Sequence, residues 1–356
     1  MSHTIDLTGY EPDTPDATQD GSDEPAKPSR AATWRWFGRK VGGSAATLGF
    51  IVVVNFFLFR IINDHPERTL ARGRAKTPEQ IQEVIDKYGL DDPLPKQFLI
   101  YMKNIITLDF GDSYQYSQSV RGLMLDRLWP TVVLVGTSTI LSIIIGVWIG
   151  TIAAWNRGRK FDQISTTSTI TLYSMPEWWL GLILFMAFAT GFGPIPRLFP
   201  IGQLKSPGVD AWSLDGVVDQ AWHLVLPVVT LTLAYLAEYS LIMRSALLDE
   251  MGEDYVQTAR AKGLADVLVR RRHASRNALL PVVTLVSLNI GFIVSGAITI
   301  ETVFSIPGLG LLTTDALRIP DIPMLQGTFF IFSAAVVIAN LVSNLLYGYL
   351  DPRVRL

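Results

Sequence analysis

The residues best placed to do chemistry in this chain lie in one polar loop, Glu253-Asp254-Tyr255-Val256-Gln257-Thr258-Ala259-Arg260-Ala261-Lys262-Gly263-Leu264. Carboxylates at its start and Arg260 and Lys262 near its end suit the dipole of a short helix, and Gly263 can terminate that helix. Ala259 and Ala261 are small enough to let another backbone approach, while Tyr255 and Val256 offer apolar anchors. This pattern is that of a helix received in a partner's groove. A basic amphipathic loop resting on lipid headgroups has the same composition, so the residues alone leave both readings open.

Covalent chemistry has little support. The chain has no cysteine, which excludes disulfides, thiolate metal sites and cysteine nucleophiles. His3, His65, His223 and His273 are scattered without metal-ligand spacing. No nucleophile–base arrangement is evident, and no G-x-x-x-x-G-K-[ST] loop is present to cradle a nucleotide. The expectation is a chain that is not an enzyme and binds no cofactor or metal of its own.

A second group of polar residues falls inside apolar runs. Glu238 reads as the acidic residue well inside a span, where charge is costly and marks a cavity or a paired partner; Arg244 is the local candidate for pairing. Asn289, Ser295, Asn340 and Asn344 can line a polar path or hydrogen-bond between helices. Trp178 and Trp179 read as packing residues.

The elements that must position these residues are apolar runs. Of 356 residues, 49% are hydrophobic and 17% charged, and the hydrophobic ones arrive in runs of about twenty, enough to cross a hydrocarbon core. Six spans are expected, at roughly 42–62, 130–154, 164–189, 223–243, 279–302 and 326–349. Lys and Arg crowd the flanks before the first span, between the second and third, between the fourth and fifth, and after the sixth. By the positive-inside rule both termini and the 244–278 loop face the cytoplasm. Pro176 and Pro227 lie inside spans and Pro281 opens one; such breakers are tolerated where freed backbone groups find partners or water.

Residues 1–34 are acidic and nearly devoid of apolar side chains, and read as a disordered cytoplasmic tail; 35–62 is the first transmembrane helix. Residues 63–128 form an external helical segment. Thr77-Pro78-Glu79-Gln80 opens one helix there, with Ile81, Val84, Ile85 and Tyr88 at helical spacing and Gly89 as its stop. A second covers Pro95–Ile106 with Phe98, Met102 and Ile105 on one face, before a turn at Gly111-Asp112-Ser113. Residues 129–356 form a five-helix core. The fold class is all-α and polytopic, with a small external helical subdomain, in contact with membrane lipid and without a nucleic-acid surface.

The stretch Tyr255–Gly263, followed by Arg276-Asn277-Ala278-Leu279-Leu280-Pro281, closely resembles the coupling loop of ABC importer permeases of the dipeptide/oligopeptide branch. Tyr88-Gly89-Leu90-Asp91-Asp92-Pro93-Leu94, Asp109-Phe110-Gly111-Asp112-Ser113-Tyr114, Glu301-Thr302-Val303-Phe304-Ser305-Ile306-Pro307-Gly308-Leu309-Gly310 and Leu350-Asp351-Pro352-Arg353 resemble the same family in the expected order. The match is to the first of two homologous permeases, the one with the large outer segment, in the type I architecture. Departures are the acidic extension, Asn344 where many relatives are acidic, and Leu241 where a basic residue is common. The resemblance implies a second permease subunit, two separate ATP-hydrolysing subunits and an external solute-binding protein. It implies that Tyr255, Thr258, Ala259, Ala261 and Gly263 couple to the ATPase, with Arg260 and Lys262 as polar contacts. Cargo would be di- or oligopeptides, with nickel chelates or oligosaccharides as alternatives in the same branch. An ion-driven secondary transporter is the competing class, disfavoured by the lack of internal repeats and of paired intramembrane carboxylates.

Overall fold

The computed structural model describes residues 30–62, 77–79, 82, 85–86, 92–191, 196–289, 293 and 298–350. Among them there is no strand, only one isolated bridge between Asp112 and Ser119 at the turn expected around Gly111. The first helix, α1 (Arg30–Ile62), begins inside the last residues of the segment read as tail. Thr77–Glu79, Gln82, Ile85 and Asp86 agree with a helix there, all but Thr77 being helical; Gln80, Ile81, Val84, Tyr88 and Gly89 lie outside the described residues.

Helix α2 (Leu94–Thr107) matches the helix expected over 95–106, with Pro95 in its first turn. Its buried face is Gln97, Tyr101 and Ile105, with Phe98 and Met102 on the flank, rather than the face expected from Phe98 and Met102. Tyr101 and Ile105 pack against Val52 and Phe56 of α1 and Phe330 of the last helix. The Asn55 amide donates to the Tyr101 hydroxyl at 3.0 Å and to the Gln326 carbonyl at 3.2 Å. Burial holds the Tyr101 phenol at about 12, so it stays protonated.

Helix α3 (Val120–Trp155) is the spine. Its 36 residues extend about 54 Å, well beyond a hydrocarbon core of about 30 Å. Pro130 is accommodated without interrupting it. Three core clusters are strung along it: Val120, Leu123 and Met124 at one end, Leu134 and Val135 in the middle, Ala154 at the other end. The span expected at 164–189 is two helices, α4 (Lys160–Ser174) and α5 (Glu177–Leu184), the latter running into a π-helical turn Phe185–Gly191; the two are bent by 102°. The break falls at Pro176, which disfavours helical backbone at Met175; that residue adopts φ −86° and ψ 130°.

Helix α6 (Leu214–Glu250) runs unbroken through Pro227. It meets α3 at Gly146 and Gly150, where an added Cβ would come within 2.7 Å of the Leu236 carbonyl oxygen and 2.4 Å of the Ser240 carbonyl oxygen. This small-xxx-small spacing allows backbone contact between membrane helices. After α6 come α7 (Asp254–Ala261) and α8 (Asp266–Leu268), which continues as a π-helical turn Val269–Ala274. Then follow α9 (Ser275–Asn289), α10 (Ile298–Val303), α11 (Leu309–Arg318) and α12 (Ile322–Leu350). Helix α12 packs along α1.

Among the described residues four helices, α1, α3, α6 and α12, are long and apolar enough to cross a membrane, and the bent α4–α5 pair makes up to five. The six expected spans are therefore not all found as continuous helices. Helices α9 and α10 cover the two ends of the fifth, 279–302, and most of residues 290–297 between them lie outside the described residues.

Candidate functional site

Helix α6 ends at Glu250, and a tight turn leads into α7, with the Gly252 amide donating to the Asp249 carbonyl at 3.0 Å and that of Glu253 to Glu250 at 3.2 Å. Asp254 occupies the first turn of α7 and Arg260 the last, as the dipole argument requires. At Gly263 the backbone turns left-handed, with φ +75°. Its amide donates to the Arg260 carbonyl at 2.9 Å, and that of Leu264 reaches the Ala259 carbonyl at 3.4 Å. Gly263 thus ends the helix as its sequence suggests.

The two faces of α7 have different roles. Val256 and Ala259 are buried against Tyr239, Met243 and Leu247 of α6 and Val269, Ala274 and Ala278 beyond the loop. This corrects the expectation that Val256 and Ala259 are offered outward: both are spent on the chain's own core. Thr258, Ala261, Lys262 and Gly263 are exposed, with Asp254 beside them. Arg260 turns inward, its guanidinium 5.3 Å from the centre of the Trp155 ring at the end of α3.

Tyr255 fastens the loop on the other side. Its hydroxyl donates to the Glu250 carboxylate and accepts from the Asn277 amide at 3.0 Å. Burial, and then the Glu250 contact, push the phenol above its ordinary pKa, so it remains a donor at neutral pH. Helix α7 is therefore tied to α3, α6 and α9 together.

Arg244 pairs with Asp162, correcting the local pairing with Glu238. Its Nε donates to Oδ1 at 2.7 Å and its Nη2 to Oδ2 at 3.0 Å, a bidentate bridge from α6 to α4. The Gly158 amide and the Thr166 hydroxyl complete the shell around that carboxylate.

The polar residues proposed for a path are scattered. Glu238 is half-buried on α6, and Asn289 donates to the hydroxyl of neighbouring Tyr239 at 3.3 Å. Asn344 instead bridges helices: its Oδ1 accepts from Lys40 on α1 at 3.3 Å, and its amide donates to the Asn340 carbonyl at 2.8 Å. Ser295 lies outside the described residues.

Two carboxylates escaped sequence reading. Glu177 sits just after the Pro176 break, where the Thr299 hydroxyl donates to it at 2.6 Å and the Tyr235 hydroxyl also bonds it. Glu301 is fully buried. Its carboxylate accepts from the Thr131 hydroxyl at 2.7 Å and the Leu311 amide at 3.0 Å, while Thr131 Oγ1 accepts from the Leu309 amide at 2.8 Å. A Cβ on Gly308 would meet the Glu301 carboxylate at 2.4 Å, which explains glycine opposite that acid. Glu177 stood in the sequence beside the noted Pro176, and Glu301 opened a quoted motif; their distant partners were the missing signal.

The family model described as binding-protein-dependent transport system inner membrane component matches residues 146–356, and the corresponding N-terminal membrane-component model matches 33–135. The chain is 33% identical to the probable peptide ABC transporter permease protein y4tP of Sinorhizobium fredii over 319 residues, covering 89% of this chain and 98% of the relative. It is also 33% identical to the dipeptide transport system permease protein DppB of Escherichia coli over 330 residues, with 89% and 97% covered. Identity to the glutathione transport system permease protein GsiC of Escherichia coli is 33% over 317 residues, with the same coverage.

Proposed function

The chain belongs to the family of binding-protein-dependent transport system inner membrane components, and from that premise we propose that it forms half of the path of an ATP-driven importer of short peptides. The cargo class rests on the names of its relatives, which are peptide, dipeptide and glutathione permeases. A second, homologous permease supplies the other half. Two separate subunits bind and hydrolyse ATP, and an external solute-binding protein delivers cargo. The chain is a multi-pass membrane protein, in the cell membrane, with both termini and α7 on the cytoplasmic side, the 63–128 segment outside, and the 129–356 core carrying the path.

The observation that carries this reading is the two-faced α7. Its inner face is locked to α3, α6 and α9, while Thr258, Ala261 and Lys262 remain outward. A force applied by an ATPase at that outer face would move the packed helices as one body rather than flex a loop. Glu238 and Asn289 are proposed to line the path; Asn340, Asn344 and Ser295 are retained as weaker candidates for it.

The test is uptake of a labelled dipeptide by cells carrying the Gly263→Pro variant. Proline cannot adopt φ +75° and lacks the amide that reaches Arg260. Uptake should be lost while the chain still accumulates in the membrane; normal uptake would remove the coupling role.

A further inference from the structure

Between the last turns of α3 and the π-helical turn after α8 lies a cavity of about 410 Å3, a size within the roughly 300–1,000 Å3 of small-ligand sites. Trp148, Thr151 and Ile152 form one wall, and Val267, Arg270 and Arg271 the other. The first wall continues an exposed apolar stripe. Ile140, Ile144 and Trp148 recur every fourth residue on α3 and are 58%, 60% and 60% exposed. The second wall carries cations without anions: among the described residues neither Arg270 nor Arg271 is paired with a carboxylate. Arg270 is held 5.9 Å from the centre of the Trp155 ring, the same ring that Arg260 covers from the coupling helix.

An apolar groove on a membrane helix that ends at two guanidinium groups, neither with a carboxylate partner among the described residues, is complementary to an amphiphile with a negative head. Guanidinium forks suit phosphate oxygens, and basic pockets at the end of membrane helices take anionic headgroups. Tryptophan at the same level suits the membrane–water boundary. We propose that this cavity binds the headgroup of one anionic phospholipid, with an acyl chain lying along Ile140, Ile144 and Trp148. The lipid would bridge α3 to the loop that carries α7 and hold the two together. The proposal rests on α3 crossing the membrane and is independent of cargo or ATPase.

Native mass spectrometry tests it on the full-length chain, extracted in mild detergent with whatever subunits accompany it and supplied with phosphatidylglycerol or phosphatidylcholine. One phosphatidylglycerol should be retained where phosphatidylcholine is stripped, and excess inorganic phosphate should leave it in place. Arg270→Gln with Arg271→Gln should weaken its retention roughly tenfold, whereas Arg276→Gln, an exposed arginine outside the cavity, should not. If the double variant does not accumulate, Arg271→Gln alone, at an exposed position, should shift retention in the same direction. Equal retention of the two lipids, unchanged retention in the arginine variants, or displacement by inorganic phosphate would each overturn the site. Because uptake is not read in this experiment, those outcomes leave the coupling role of α7 standing.

Discussion

At the scale of single residues, buried carboxylates hold the helices in register. Asp162 is 4% exposed and takes four hydrogen bonds, two of them from Arg244. Arg244→Met would leave that carboxylate buried without its counter-charge, at a cost of about 3–5 kcal/mol. The expected result is a lower thermal midpoint in detergent, partly restored when Asp162→Asn is added, because the second change removes the orphaned charge. Glu301→Ala would strip the acceptor from Thr131 and the Leu311 amide, costing about 1–3 kcal/mol for each buried donor left unmet. Loosening of α11 should then appear as faster proteolysis between Ser305 and Arg318. These partnerships were poorly legible in the sequence for a physical reason. Arg244 and Asp162 stand 82 residues apart, and Thr131 and Glu301 170 apart, so only the packed fold joins them. Local spacing pointed to Glu238, six residues from Arg244, and was wrong.

At the scale of elements, α7 behaves as a small block rather than a loose loop. Its existence, its dipole and its Gly263 stop were all readable, because capping and helix termination are local physics. Which of its faces is free was not readable, because Val256 and Ala259 look as suitable for a partner as for a core. Gly263→Ala separates backbone strain from loss of the amide. No atom would touch the new Cβ, so the cost is the left-handed backbone alone, about 1–2 kcal/mol. Uptake should be reduced in Gly263→Ala and absent in Gly263→Pro. The α3–α6 contact gives a second test. The Gly146-Val147-Trp148-Ile149-Gly150 spacing was legible as a helix-pairing pattern, and it went unread beside the more conspicuous prolines. Gly150→Leu should prevent the close approach and lower the yield of folded protein, whereas Gly136→Ala, with nothing within 4 Å, should be neutral or slightly stabilising.

At the scale of the whole molecule, the chain combines rigid and interrupted parts. Helices α3, α6 and α7 form a continuous packed body, while the expected third span is broken and bent by 102°. Hydropathy could not distinguish a broken span from a straight one; Pro176 and Pro227 look alike in sequence, yet only the first interrupts its helix. Discontinuous helices beside a rigid body are a recurring design for transport between two states. Its input would be the outer face of α7. That claim can be tested by crosslinking, because the chain has no cysteine of its own. Single Thr258→Cys and Ala261→Cys variants, treated in membranes with a short thiol–amine crosslinker, should join the chain to an ATP-binding subunit, while Val256→Cys, buried on the inner face, should not. Failure of both outer positions, or equal crosslinking from Val256, would contradict the account.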